Sequence, residues 1–559
     1  MDPLLLSKLK EKAVPMNKQV CNGFSHSQSH LIMDRINSLM LVISKKFPAC
    51  LEYCGIRKLT PDEEFNLIVN RTASSKVKKA VEITRSDIYT TELMFKFNGK
   101  PVTPMITLKL PFIRPGNIFH LNGTAWTGNI VLSDPCISVG LSDIFVRLTR
   151  ARLTFKKDIH HIVLNGKDYN AQYIYSNIYN YNKKNAAPNQ RVLVRGKTST
   201  GHYMFCKYGF LKTMEIFGNI KKEDIIVTDN KDSQLESYRE SNQYDIYESA
   251  GVKPKTCFKG NYEKPGLVIC VRKKKNTLLA ETLVTGLMYI TDTFPFRIKA
   301  EYINNYELKY ESRMWMILLG YLNVIGEDSE AKLYDLMDAH MQSLDSYVDA
   351  LVIEKFRESH QYPDLLFVTD IYQLFAFITK NINNILQNSF SKASSIWNKD
   401  LEVLYYLLYD IQYAIVNIQF KLQALMKKKT ILTQDDVIKN CISLLIRDGL
   451  VYTLGSGKNQ ALTNLSLVNP NLAFRTTTKM IPQTDLANTG NNKIVTSDPN
   501  QCLHTSVAAV GSFLTAPKSS PSGRAMISPY VVTENGHIVH ENHPHIELLN
   551  KVEKMIQRT

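Results

Sequence analysis

The chain has 559 residues, 44% of them apolar and 21% charged, with a formal net charge of +16. That length holds roughly two to four domains with large cores, and the composition is that of a soluble globular protein rather than a disordered one. The excess of cations points first to nucleic acid as a polyanionic partner, then to a membrane surface or an acidic protein; a lysine-rich composition without such a partner is the plain alternative.

Nine cysteines stand at 21, 50, 54, 136, 206, 257, 270, 441 and 502, with no C-x-x-C pair among them. Zinc-ribbon spacing is excluded, and reduced, mostly buried thiols in a cytosolic compartment are expected. The opening run MDPLLLSKLKEK lacks a basic stretch followed by a long apolar core, so no signal peptide is expected.

From about Leu5 to Phe47 the pattern predicts two helices joined at Asn22 to Ser27, the second with Ile32, Ile36, Leu39, Met40 and Ile43 at helical period. Between Ile68 and Lys109 short alternating runs, TELMFKF and PMITLKL among them, predict strands. Lys76, Lys78 and Lys79 lie among these, on a solvated edge or at a phosphate. In LPFIRPGNIFHLNGTAWTGNIVLSDP, Leu110 to Pro135, a Pro-Gly turn, an apolar strand, an Asn122-Gly123 hairpin turn and a second strand make a compact β unit. Arg147, Arg150, Arg152, Lys156 and Lys157 follow, and on a strand Arg150 and Arg152 share a face. The tyrosines between Asp168 and Asn189, with Lys183 and Lys184 behind them, read as a half-buried strand; stacking on unpaired bases is the alternative. Asp229 to Gln243 predicts a polar loop, and Arg272 to Lys275 a solvated hairpin tip.

After Glu301 the pattern turns helical. Met316 to Met337 predicts a helix, a glycine-containing turn and a second helix with its N-cap signal at Asp328-Ser329. Long helices are expected over Ser329 to Glu358, Asp364 to Ser389 and Asp400 to Leu425. The apolar tract Val403 to Phe420 is interrupted by Asp410, Gln412, Asn417 and Gln419, which favours a buried helix over a membrane span. Thr433 can cap a helix running to Arg447, with Gly449 ending it. Gly455-Ser-Gly-Lys458 lacks the first glycine and the final hydroxyl of a phosphate loop: Tyr452 and Asn459 stand there. Finally, Lys518-Ser-Ser-Pro-Ser-Gly-Arg524 packs a proline, a glycine, three hydroxyls and two cations into seven residues. Pro521 biases Ser520 towards extended geometry and Gly523 can take positive φ. Such a loop is suited to a phosphate backbone, an ordinary surface turn being the alternative.

Four short elements, in order, carry a resemblance. Gly116, Ile118, Leu121, Asn122 and Gly123 resemble the Gly-x-Phe-x-Ile-Asn-Gly hairpin of multisubunit RNA polymerase β subunits. Ala125, Trp126 and Thr127 stand where that family has Glu-Arg-Val. Leu319-Gly320, Asp328, Glu330 and Leu333 are similar to a lobe segment of the family. The stretch from Thr433 through Gly455–Asn464 to Leu472–Lys479 is similar to the fork region. Ser520-Pro521-Ser522-Gly523 resembles its Thr-Pro-Glu-Gly loop, with Pro517 on the proline of the preceding Cys-Pro; Ala516 replaces the cysteine, and Ser519 and Ser522 replace two glutamates.

The resemblance implies an α+β, multidomain chain: protrusion-like over 1–146, lobe-like over 147–360, a helical return over 361–428 and a fork-like region over 429–559. It further implies the N-terminal half of a split β subunit of the giant-bacteriophage type, in the cytoplasm of an infected host or packaged in the virion. The expected partners are a β C-terminal fragment, β′ fragments, the DNA template and RNA, with no membrane. The resemblance implies no cofactor on this chain, with Mg2+ held by another subunit, and the lack of an Asp-x-Asp-x-Asp cluster is consistent with it. Arg475, Lys479, Lys518, Arg524 and Lys458 are the candidate nucleic-acid-binding residues. His537, His540, His543 and His545 are a weak metal set without a cysteine. The competing readings are a basic virion structural or assembly protein of a large phage and a single-strand-binding module.

Overall fold

In a computed structural model the chain divides into two compact units. One is continuous, Cys136–Ser391; the other joins both chain ends, Met1–Pro135 with Lys392–Thr559. The structure describes residues 25–74, 85–180, 197–254, 262–390, 400–442, 462–482, 533–534 and 537–538, except positions 46, 115, 134, 141, 149, 150, 325, 326, 328, 346, 359–361, 403, 404, 430 and 441.

In the first segment, α1 (Ser25–Ser44) buries Ile32, Ile36, Leu39, Met40 and Ile43, the residues whose spacing predicts it. β1 (Leu51–Lys58) leads into α2 (Pro61–Ser74). A reciprocal cap starts α2: the Glu63 amide donates to Thr60 Oγ1 at 3.3 Å, and the Thr60 amide donates to the Glu63 carboxylate at 2.9 Å. The strand expected from Ile68 is therefore the end of a helix. Its apolar Phe65 and Val69 are 65% and 42% exposed, so no buried stripe marks the helical period. β2 (Ile88–Phe97), β3 (Lys100–Pro101) and β4 (Ile106–Pro111) complete an antiparallel sheet with β2 between β1 on one side and β3 and β4 on the other. β5 (Ile118–Leu121), β6 (Thr124–Gly128) and β7 (Ile130–Ser133) close the segment.

The continuous unit is built on a seven-stranded antiparallel sheet. β8 (Ile137–Val139) and β9 (Asp143–Arg147) precede the long hairpin of β10 (Ala151–Leu164) and β11 (Lys167–Asn180), turned by Asn165 and Gly166 at φ 50° and 78°. β12 (Ile225–Asp229), β13 (Tyr244–Ser249) and β14 (Leu267–Arg272) extend it in the order β12-β14-β13-β10-β9-β8, with β11 along the other edge of β10. The tyrosines of β11 behave as a strand: Tyr173 is buried and Tyr175 half-buried. Arg150 lies outside the described residues, while Arg152 stacks 4.1 Å from the Phe145 ring and Lys156 pairs with Asp143 at 2.7 Å.

The helices of this unit are α3 (Thr200–Tyr208), α4 (Phe210–Ile216), α5 (Leu235–Ser241), α6 (Leu278–Thr293), α7 (Ala300–Asn305), α8 (Leu308–Asn323), α9 (Glu330–Asp345), α10 (Ala350–Glu358) and α11 (Ile371–Phe390). The polar stretch expected as a loop contains α5, because Leu235 alone is buried against Ile246, Val268 and Cys270. The four cations end β14 and run into α6 through a short 3-10 turn, so they form a strand-to-helix link and not a hairpin tip. The single helix expected over 329–358 is two, since Asp349 caps α10 by accepting the Val352 amide at 3.0 Å. α6 is buried on nearly all sides, and its Thr282, Thr285, Thr291 and Thr293 hydroxyls donate to carbonyls one turn back. Gly320 lets α8 and α9 meet, for a Cβ there would lie 3.0 Å from Leu333 Cβ.

The chain then returns to the unit that holds both chain ends with β15 (Asp400–Glu402), α12 (Tyr405–Lys428) and α13 (Gln434–Asn440). α12 packs on α1 and buries Ile411, Ile415, Ile418 and Leu422, the buried helix expected of this tract. No described helix is long and apolar enough to cross a membrane. Thr433 caps α13 as expected, accepting the Asp436 amide at 3.2 Å; Arg447 and Gly449 lie outside the described residues. β16 (Leu462–Asn464), α14 (Pro470–Thr477), β17 (Met480–Pro482), β18 (Thr533–Glu534) and β19 (His537–Ile538) follow.

The observed division at 135/136 and 391/392 differs from the expected boundaries at 146/147, 360/361 and 428/429. β9 is hydrogen-bonded to β10 across the first, and α11 packs on α3 and α6 across the second. Across the third, β15 and β17 both pair with β7.

Candidate nucleic-acid interface

The β5–β6 hairpin turns on Asn122 and Gly123, at φ 50° and 82°, as the Asn-Gly pair predicts. Its approach is locked by Asp87, a buried residue that no sequence motif marks. Arg114 donates to both carboxylate oxygens, Nε at 3.0 Å and Nη2 at 2.6 Å. The His120 amide donates to the same carboxylate at 3.0 Å, and His120 Nδ1 lies 2.8 Å from it. Burial, the largest single influence, opposes ionisation of Asp87, but the hydrogen bonds from Arg114 and His120 outweigh it and bring its pKa down from 3.8 to about 2. The two residues before it hold the turn itself: the Asn122 amide donates to Ser86 Oγ at 3.0 Å, and the Gly123 amide to the Arg85 carbonyl at 2.9 Å.

Onto this hairpin the late part of the chain is laid. β16 pairs antiparallel with β6, Thr463 opposite Thr127, and the Thr463 hydroxyl donates to Asn129 Oδ1 at 3.0 Å. The Leu465 amide donates to the Ala125 carbonyl at 2.8 Å. Asn469 caps α14, its side chain accepting the Leu472 amide at 3.3 Å, with Pro470 at the first helical position. It delivers the chain to β17, which lies parallel to β7, Met480 opposite Ile130. Residues 118–133 and 462–482 thus form one hydrogen-bonded assembly although more than 300 positions separate them. Ala125 and Thr127, where the β pattern has charged and aliphatic residues, are buried packing positions in it.

Of the five candidate cations, the structure places two. Arg475 is exposed on α14, and Lys479 is half-buried where that helix becomes β17, its carbonyl accepting the Ile130 amide at 3.2 Å. Near Arg475 in sequence, Leu467, Val468, Leu472 and Phe474 are exposed, Val468 at 93%. Lys458, Lys518 and Arg524 lie outside the described residues, as do Lys76, Lys78, Lys79, His540, His543 and His545. Among the described residues no group of three or more His, Cys, Asp or Glu side chains is placed to hold a metal ion. A surface cation beside a rigid β scaffold can form charge-assisted contacts to phosphate oxygens, which position a duplex without reading its sequence.

A family model described as "Non-virion RNA polymerase subunit" matches residues 5–554. No curated protein matches the chain.

Proposed function

The chain belongs to the non-virion RNA polymerase subunit family, and from that premise we propose that it is the N-terminal part of a divided β-type subunit, bordering the cleft that holds DNA and the RNA–DNA hybrid. The observation that supports this reading best is the joining of residues 118–133 to 462–482. Those are the segments that resemble the protrusion hairpin and the fork, and here they share a ladder.

On this reading the protein performs no bond-making step alone. Its cations, Arg475, Lys479, Lys458, Lys518 and Arg524, hold phosphates of template and transcript by sequence-independent charge contacts. Nucleotidyl transfer needs Mg2+ to stabilise the attacking and leaving oxygens, and the carboxylates that hold it are assigned to a β′-type chain. The family description, non-virion, favours action in the infected cell over packaging in the particle.

Affinity purification of the tagged chain from infected cells tests the assembly. Equal recovery of a second β-type chain and of β′-type chains, with template-dependent RNA synthesis, is the expected result. Recovery of the chain alone, or as a homopolymer, overturns it. The cations are tested in pairs: Arg475→Ala with Lys479→Ala, and Lys518→Ala with Arg524→Ala, should each weaken template retention and lower the logarithmic salt slope by about 2. An unchanged slope for both pairs removes them from the interface.

A further inference from the structure

In the continuous unit, Tyr302, Tyr306 and Tyr310 recur every four residues across the junction of α7 and α8. The rings of Tyr302 and Tyr306 are stacked, centroids 4.7 Å apart and planes 25° from parallel; Tyr310 meets Tyr306 at 6.5 Å and 68°. The Lys299 ammonium lies 5.9 Å from the centre of the Tyr302 ring. The array faces solvent: Tyr306 is 42% exposed and Tyr310 56%, with Leu308 and Phe296 beside them in sequence at 51% and 61%. The backbone beneath is anchored, since Ile303 is buried and Asn304 Nδ2 donates to the Val227 carbonyl at 2.7 Å.

The same unit contains an internal control. Tyr173 and Tyr289 also stack at 4.7 Å, with planes 19° apart, but they are only 1% and 4% exposed. That pair is accounted for by the core, where covering aromatic area is favourable. The outer ladder has the same geometry without the cover, so core packing does not explain it. Within residues 299–310 the exposed charges balance, Lys299 and Lys309 against Glu301 and Glu307. A phosphate-tracking groove would be strongly cationic; a surface whose offering is flat rings suits a ligand with flat faces of its own.

We propose that Tyr302, Tyr306 and Tyr310 form a stacking platform for the unpaired bases of single-stranded nucleic acid. Tyr306 and Tyr310 present ring surface to the bases, and Tyr302, with Lys299 above it, holds Tyr306 in place. Every base has a π face, so the platform is tolerant of sequence, and its salt dependence is shallow because few phosphates are neutralised. The inference requires that this chain meets single strands; it does not require the β-type reading or the cations of α14.

The test titrates the full-length protein with a labelled short single strand, with the same strand made abasic, and with the duplex. Tyr306→Ala combined with Tyr310→Ala should weaken binding of the base-bearing strand about tenfold and leave the abasic strand unchanged. Tyr306→Phe with Tyr310→Phe should retain affinity, whereas the paired leucine substitutions, which keep apolar bulk and remove the ring, should not. A strand carrying 5-iododeoxyuridine should photocrosslink within residues 302–310. Equal binding by the alanine pair, equal affinity for abasic and base-bearing strands, or rescue by leucine overturns the proposal. So does loss of another polypeptide from the purified polymerase with strand binding intact, which would make the ladder a protein-docking surface. Failure here leaves the salt-slope result at Arg475 and Lys479 unaffected, because that measurement reads phosphate contacts.

Discussion

The two units reach their folds by opposite routes. In Cys136–Ser391 the sheet is organised on one long hairpin, fourteen residues on each side of Asn165-Gly166, so its principal pairing closes over two residues. In the other unit, β7, β15, β17 and β19 share a sheet although they come from positions 130, 400, 480 and 537, and none is longer than four residues. Closing long loops costs entropy before any contact is gained, so non-local pairings of this kind form late and depend on one another. Local ladders make the first unit; cross-chain clasps make the second.

That contrast can be broken at its strongest point first. Trp315 is fully buried, its Nε1–H donating to Glu311 at 3.0 Å and its ring 5.4 Å from that of Phe205. Trp315→Ala should cost about 3–5 kcal/mol in chemical denaturation, the void adding to lost burial; a loss near zero would mean that this core is not built around it. Next comes Asp87, whose folded pKa of about 2 lies below the ordinary 3.8. A depressed carboxylate stabilises the fold above its unfolded pKa, and that contribution disappears as pH falls from about 4 through 2. Asp87→Asn should therefore cost about 2 kcal/mol at neutral pH and flatten the acid limb of a Tm-against-pH curve. Thr463→Val removes the hydroxyl that reaches Asn129 and should cost about 1 kcal/mol, seen as faster amide exchange at Leu465. Smallest is Thr433→Ala, which removes the cap of α13 and should fray that helix by about 0.5–1 kcal/mol without disturbing β16 or β17.

What could be read in advance follows the same contrast. Asn122-Gly123 announced its hairpin, and α1 announced its buried face, because turn chemistry and helical period act over a few residues. The α8–α9 pair was legible for the same reason. β15 and β17 were not, since three residues carry no period; the tract that contains β15 reads as the start of α12. Asp87 was invisible too. Nothing in Ser86-Asp87-Ile88 marks a residue whose partners, Arg114 and His120, lie about 30 positions away. Of the candidate cations, Arg475 and Lys479 were named from the resemblance, and the structure places Lys479 beside β7, its carbonyl hydrogen-bonded to the Ile130 amide; the tyrosine ladder was not read in advance because a four-residue aromatic spacing looks like a core stripe until exposure is known.

The parallel pairing of β17 with β7 has a consequence for biosynthesis. When Ile130 and Val131 leave the ribosome, the strand that will cover one of their two edges is still some 350 codons from translation. At about 5–20 residues per second, that edge waits roughly 20–70 s on the nascent chain. An apolar strand with unsatisfied amides is a template for pairing with a neighbour. Ribosomes crowded on one message would hold several such edges at once, so a host chaperone that binds extended apolar segments, or slowed initiation, should raise the yield of soluble protein.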